Sequence, residues 1–241
     1  QRLVLQEVYH ALEDAAISIN TIKGTDTGVF IGVSSSDYST LLKEQTNQIG
    51  MAQFATGSAH SVLVNRISYI FDLHGPSEPI DTACSSSLIA IHRAAEHIRN
   101  GHGTMAIAGG VNAILSPELT LSFSQAGMLS KDGRCKTFDQ GANGYVRGEG
   151  VGILILKDLD QAIEDKNPIY GILKGSAENH GGKANTLTSP NPKAQQKLLI
   201  KAYQLAGVDP GLVSYIEAHG TGNLSRRSPT IFSAAMENRM F

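Results

Sequence analysis

Apolar residues recur along the chain with two spacings, which predict alternating helices and strands. Near the start, Leu5, Val8, Leu12 and Ala15 lie three to four residues apart, the spacing of one helix face. Further helical patterns occur at 61–73, 85–100, 116–129, 160–166 and 192–208. Apolar runs of strand length occur at 27–35, 78–83, 104–114, 148–159, 169–179 and 213–222. Apolar strands that alternate with helices are typical of an α/β fold, in which helices cover both faces of a sheet.

Composition narrows the function classes. The chain has 241 residues, 41% hydrophobic and 17% charged, which is a globular composition with room for one large domain or two small ones. The net charge of −2 provides no basic field for nucleic acid. No apolar run approaches the ~20 residues that span a bilayer, so no membrane partner is expected. The two cysteines form neither a disulfide framework nor a metal-ligand spacing, which predicts a cytoplasmic protein without a metal site.

Cys84 occupies a position that suits a nucleophile. It lies between a short apolar run and a helical pattern, among the small residues Ala83, Ser85 and Ser86. A helix N-terminus stabilises the thiolate, and small neighbours leave room for an oxyanion beside backbone N–H groups. Taken alone, the position favours a buried structural cysteine, since free cysteines usually are buried. Cys135, in a polar glycine-containing loop without a helix start, is not a candidate.

Longer motifs support the first interpretation. Four segments, in the same order, resemble the ketosynthase domains of modular polyketide synthases, which are β-ketoacyl synthases. These segments are QRLVLQEVYHALEDA, GPSEPIDTACSSSLIAIHRA, GRCKTFDQGANGYVRGEG and YIEAHGTG, and the resemblance covers residues 1–222. Several long motifs in register are far more specific than one short pattern.

The resemblance implies a thiolase-like fold with layers in the order αβαβα, here incomplete. It places the N-terminal, nucleophile half at 1–157 and the start of the C-terminal half at 158–222. The first strand and most of the second half of such a domain have no counterpart here, and no initiator Met is present. We therefore expect a piece of a longer reading frame. Residues 223–241 match nothing in the family and form a separate tail.

The resemblance also implies an acyltransferase activity. Cys84 would accept an acyl chain from the phosphopantetheine arm of an acyl carrier protein, and a malonyl unit on a second carrier would lose CO2 and condense with it. His219, in EAHGTG, matches a histidine that stabilises the enolate through an imidazole N–H. The expected partners are the carrier protein, other synthase domains and a second copy of the chain, with no bound cofactor. The two-fold contact is expected at 104–114.

Other features qualify these expectations. The His180-Gly-Gly-Lys segment resembles modules whose acyltransferase is a separate protein, although a role in loop conformation is the simpler interpretation of His180. Phe123 is expected to pack or to shape the acyl tunnel. The family's second catalytic histidine and nearby lysine are absent, so the isolated chain is expected to be inactive. The alternatives are a fatty-acid-type synthase, a thiolase-like acyltransferase, and a chain-transfer or scaffold domain that does not elongate.

Overall fold

The structure, a computed structural model, describes residues 1–45, 51–186 and 189–222. Its contacts divide the chain into two compact units. Unit 1 comprises Gln1–Ser116 and Gly148–Ile172, and unit 2 comprises Pro117–Arg147 and the residues from Leu173 onward.

Unit 1 is built on a four-stranded sheet. Its strands are β1 (Gly28–Gly32), β2 (Ser77–Ile80), β3 (Met105–Asn112) and β4 (Gly150–Lys157), in the spatial order β2-β1-β3-β4. β1 runs parallel to β2 and β3, whereas β4 is antiparallel to β3. The carboxyl ends of β1, β2 and β3 therefore share one edge of the sheet, and the Cys84 segment follows β2 at that edge.

Both units contain helices. Those of unit 1 are α1 (Arg2–Asp14), α2 (Ile19–Ile22), α3 (Asp37–Gln45), α4 (Met51–Ser58), α5 (His60–Phe71), α6 (Ser86–Arg99) and α8 (Leu159–Glu164). Unit 2 contains α7 (Glu118–Gln125) and α9 (Pro192–Ala206).

Two apolar clusters cover opposite faces of the sheet. On one face, α1 and α5 pack their buried side chains against Val29 and Ile31 of β1. On the other face, Phe30 of β1 packs with Ala90 and Ala94 of α6. Because successive strand residues point to opposite faces, the wholly buried β1 requires helices on both sides. The predicted covering of both faces is confirmed.

Two predicted strands are wrong. Residues 169–179 and 213–222 form neither helix nor strand, and the only β pairing in the described part of unit 2 is an isolated bridge between Leu129 and Tyr145. Apolar side chains favour a strand, but a strand also needs neighbours for its backbone N–H and C=O groups. The other predicted elements are present, with bounds shifted by a few residues.

Three expectations remain predictions. The division of the family domain at 157/158 is untested. The 104–114 strand is an inner strand of the sheet, but its place at a two-fold contact is untested. The 223–241 tail lies outside the described residues. Within the described ranges, no helix has the length and apolarity needed to cross a bilayer.

Candidate active site

Cys84 lies at the corner between β2 and α6. β2 ends at Ile80, and Ala83–Ser85 form one 3-10 turn directly ahead of α6. Ala83 has φ of 54°, a left-handed conformation that L residues other than glycine, asparagine and aspartate rarely adopt. The Cys84 side chain, one residue further along, is exposed.

Side chains next to the cysteine hold this corner in place. The Asp81 carboxylate accepts a hydrogen bond from the Ala83 N–H at 3.1 Å. The buried Ser86 hydroxyl accepts from the Thr82 N–H at 2.9 Å and donates to the Ala83 carbonyl at 2.7 Å. The Ser85 hydroxyl donates to the Thr82 carbonyl at 2.9 Å. The sequence identified these serines only as small residues, whereas the structure shows that their hydroxyls stabilise the turn.

Two strand glycines allow α6 to begin this close to the sheet. A Cβ at Gly32, the last residue of β1, would lie 2.6 Å from the Ser87 backbone nitrogen. A Cβ at Gly110 of β3 would lie 2.8 Å from the Ser87 Cβ. The first turn of α6 therefore packs directly on the backbone of two neighbouring strands. This close contact fixes the position of the first turn of α6, and of Cys84 just before it, relative to the carboxyl ends of the strands.

The strained Ala83 leads to a stability prediction. Ala83→Gly should raise the free energy of unfolding by about 0.5–1 kcal/mol, because glycine adopts φ > 0 without a Cβ clash. Ala16→Gly, at the same φ of 54°, is a matched control with the same expected sign. Ala11→Gly, inside α1, should instead cost about 1 kcal/mol. Chemical denaturation measures all three, and a loss of stability in Ala83→Gly would contradict the strain assignment.

His219 belongs to unit 2 and lies in a glycine-rich loop. Its side chain is exposed, and it is followed by Gly220 and Gly222, with φ of 61° and 62°. The loop contacts residues 136–144. The Thr137 hydroxyl donates to the Gly220 carbonyl at 2.5 Å, and the Gly144 N–H donates to the Gly222 carbonyl at 3.2 Å.

The segment that contacts the histidine loop has its own polar network. Asp132 accepts hydrogen bonds from Lys136, at 2.5 Å, and from Ser130, at 2.6 Å. These partners, Lys136 first, hold the pKa of Asp132 well below its usual range. Because the folded pKa is lowered, the interaction contributes fully above the ordinary carboxyl pKa and is lost only as the pH falls through the lowered value. The network is therefore intact at neutral pH.

Cys135 provides the comparison for Cys84. Both side chains are exposed, so exposure does not distinguish them. The Cys135 sulfur accepts a hydrogen bond from the Val146 N–H at 3.1 Å and so helps to hold its own loop. Cys84 differs from Cys135 in its place at the start of a helix.

The other residues singled out from the sequence have local contacts. The His180 Nδ1 accepts a hydrogen bond from the Gly182 N–H at 2.9 Å, which agrees with a role in loop conformation. The Phe123 ring lies under the Arg147 guanidinium at 5.6 Å, and Arg147 also donates to the Thr120 hydroxyl at 2.6 Å. A role for Phe123 in an acyl tunnel stays a prediction.

The structure places the two candidate catalytic side chains in different units, Cys84 in unit 1 and His219 in unit 2, and describes the surroundings of each. Their catalytic roles stay predictions. In the part of the chain that the structure describes, no three His, Cys, Asp or Glu side chains are grouped as metal ligands would be.

Comparison with known families gives matches along almost the whole chain. Residues 1–162 match the family described as "Beta-ketoacyl synthase, N-terminal domain". Residues 170–225 match "Beta-ketoacyl synthase, C-terminal domain".

Curated relatives and solved structures agree with these matches. The chain is 55% identical over 223 residues to Polyketide synthase PksN of Bacillus subtilis and 46% identical over 222 residues to Polyketide synthase ThaG of Burkholderia thailandensis. Each match covers 92% of this chain but only 4% of the relative.

Among solved structures, the ketosynthase from module 6 of the bacillaene synthase of Bacillus subtilis 168 matches 99% of the chain with a TM-score of 0.89 and 40% identity. The oxazolomycin ketosynthase domain OzmH KS7 of Streptomyces albus JA3453 matches 98%, with a TM-score of 0.89 and 38% identity. The chain spans 41% of each of these two structures.

Proposed function

Because the chain belongs to the beta-ketoacyl synthase family, we propose that it is part of a polyketide synthase ketosynthase that uses Cys84 as its nucleophile. The Cys84 thiolate attacks the thioester carbonyl of an acyl chain on a carrier protein, and the phosphopantetheine thiol leaves. A malonyl thioester on a second carrier then loses CO2, and its α-carbon attacks the Cys84 thioester. A carbon–carbon bond forms, the Cys84 thiolate is released, and the chain is two carbons longer.

The Cys84 corner is the observation that carries this proposal. An exposed thiol at a helix start, directly after a residue with φ of 54°, combines access for a substrate with a fixed position. A structural cysteine needs none of these features. The hydrogen bonds made by the side chains of Asp81, Ser85 and Ser86 support the proposal further, because they order the turn before any substrate binds.

His219 is proposed as an oxyanion donor in the second half-reaction. Decarboxylation places negative charge on the malonyl thioester oxygen, and an imidazole N–H is a suitable donor for it. The transfer of the first acyl chain to Cys84 does not create this enolate, so it does not need His219. The two half-reactions can therefore be separated by experiment.

The proposed assembly follows from the family. The partners are an acyl carrier protein, other synthase domains and a second copy of the ketosynthase, in the cytoplasm. The 55% identity to PksN favours the polyketide type over the fatty-acid type. The His180 segment favours a module supplied by a separate acyltransferase.

The proposal can be tested with a complete ketosynthase domain that carries this sequence. The domain is incubated with a carrier protein that bears an acyl chain, in the absence of malonyl carrier protein. It is then digested, and the masses of the peptides containing Cys84 and Cys135 are measured by mass spectrometry. We expect the acyl group on the Cys84 peptide only. After addition of malonyl carrier protein, we expect a carrier-bound β-ketoacyl product two carbons longer. Brief labelling with iodoacetamide should modify Cys84 faster than Cys135.

Two of the alternatives have their own outcome in this experiment. If coenzyme A thioesters support loading and elongation at the same rates as the carrier-bound thioesters, a thiolase-like enzyme would be favoured. Loading without any elongation would favour a chain-transfer domain. Acyl mass on Cys135, or on neither cysteine, would overturn the nucleophile assignment.

A further inference from the structure

The loop that carries His219 contains two residues in left-handed conformations. Gly220 and Gly222 lie one and three positions after the histidine, and both have φ near 60°. Glycine is the residue with the most backbone freedom, so these positions alone do not fix the direction of the histidine. Bonds from outside the loop therefore contribute to its position.

Two such bonds come from one segment of unit 2. The Thr137 hydroxyl donates to the carbonyl of Gly220, the residue next to His219, and the Gly144 N–H donates to the carbonyl of Gly222. The contacts are close as well as polar. A Cβ at Gly220 would lie 3.3 Å from the Thr137 Oγ1, and one at Gly222 would lie 3.1 Å from the Gly144 carbonyl oxygen.

The segment that supplies these donors is itself held in place. The Ser130 N–H donates to the Tyr145 carbonyl at 2.9 Å, and the Tyr145 N–H donates to the Met128 carbonyl at 3.1 Å. Lys136, directly before Thr137, pairs with Asp132. Thr137 therefore lies in a segment that is itself held by hydrogen bonds and an ion pair.

We propose that Thr137 is a positioning residue for His219, which it orients through the Gly220 carbonyl. This inference rests on the proposed function, in which the His219 imidazole donates to the malonyl thioester oxygen. Catalytic donors lose much of their effect when they move by an ångström, because the charge develops at one place. The Thr137 hydroxyl holds the peptide between Gly220 and Thr221, one residue beyond the histidine, and so limits this movement. Acyl transfer to Cys84 uses neither group.

The test compares variants of a complete ketosynthase domain with this sequence. Thr137→Val keeps the shape of the side chain and removes the donor, whereas Thr137→Ser keeps the donor. Thr21→Val is the matched control, because the Thr21 hydroxyl donates to a backbone carbonyl, that of Ser18, at 2.7 Å in unit 1. Rates of Cys84 loading and of elongation are measured separately by mass spectrometry.

Thr137→Val is expected to lower the kcat of elongation about tenfold, with the KM for malonyl carrier protein and the loading rate changed less than about twofold. Thr137→Ser should restore elongation to within about twofold of the parent, and Thr21→Val should match the parent. This split distinguishes positioning from folding, because a folding defect lowers loading and elongation together.

The opposite results are equally clear. Equal losses of loading and elongation in Thr137→Val, or no rescue by serine, would overturn the positioning role. The positioning role would also be overturned if Thr137→Val elongates at the rate of the parent while His219→Ala in the same series has lost elongation. If His219→Ala itself elongates normally, the proposed role of His219 fails, and the inference about Thr137 fails with it.

Discussion

Cys84→Ala is expected to abolish acyl loading and, with it, elongation. Alanine leaves the backbone of the corner unchanged but removes the sulfur that forms the thioester. Loss of a covalent nucleophile costs up to about 10⁶ in kcat. Loading should therefore fall below detection when the acylated peptides are measured by mass spectrometry in a complete domain.

The control for this variant is the second cysteine. Cys135 is also exposed, and its sulfur accepts a single hydrogen bond from the Val146 N–H. Cys135→Ala removes that weak interaction and should retain loading within about twofold of the parent. A loss of loading in Cys135→Ala, or its persistence in Cys84→Ala, would contradict the assignment of the nucleophile.

Gly32→Ala is expected to destabilise the domain by about 3 kcal/mol. The added Cβ would lie 2.6 Å from the Ser87 nitrogen and 2.7 Å from the Ser86 carbonyl carbon. Both are backbone atoms in the first turn of α6, so no side-chain rotation can relieve the contact. Either α6 moves away from the sheet or β1 shifts within it.

Gly152→Ala provides a matched control for the strand position. Gly152 lies in β4, where an added Cβ would have no atom within 4 Å. Its effect should stay within about 0.5 kcal/mol. Chemical denaturation of the two variants measures the difference. Equal stabilities would show that the α6 start does not depend on the bare backbone of Gly32.

The sequence was sufficient for most of the fold. The apolar pattern located β1, β3, β4, α1, α6 and α9, because apolar residues occur in each of them as a strand-length run or with the spacing of a helix. The motif order predicted the thiolase-like fold, and the matches to solved ketosynthases confirm it. The same reasoning failed at 169–179 and 213–222, because a side-chain pattern does not reveal whether a backbone partner is available.

The candidate site was predictable to a lesser degree. Motifs located Cys84 and His219, but their supports were not visible in the sequence. Nothing in the sequence indicates that Ala83 is left-handed, since alanine rarely adopts that conformation. Thr137 lies 82 residues before His219, and only the folded chain brings its hydroxyl to the carbonyl of Gly220. The glycine at position 32 was a possible signal, because a glycine inside an apolar strand often marks a close backbone approach.

The place of β2 in the sheet determines how the segment around Cys84 responds to local opening of the sheet. β2 has four residues, stands at one end of the strand order, and pairs with β1 alone among the described strands. Short edge strands exchange their amide hydrogens through local fluctuations more readily than inner ones. α6, in contrast, is seated on β1 and β3 through Gly32 and Gly110. The cysteine is thus anchored from its C-terminal side, and a transient detachment of β2 leaves the start of α6 beside Cys84 in position.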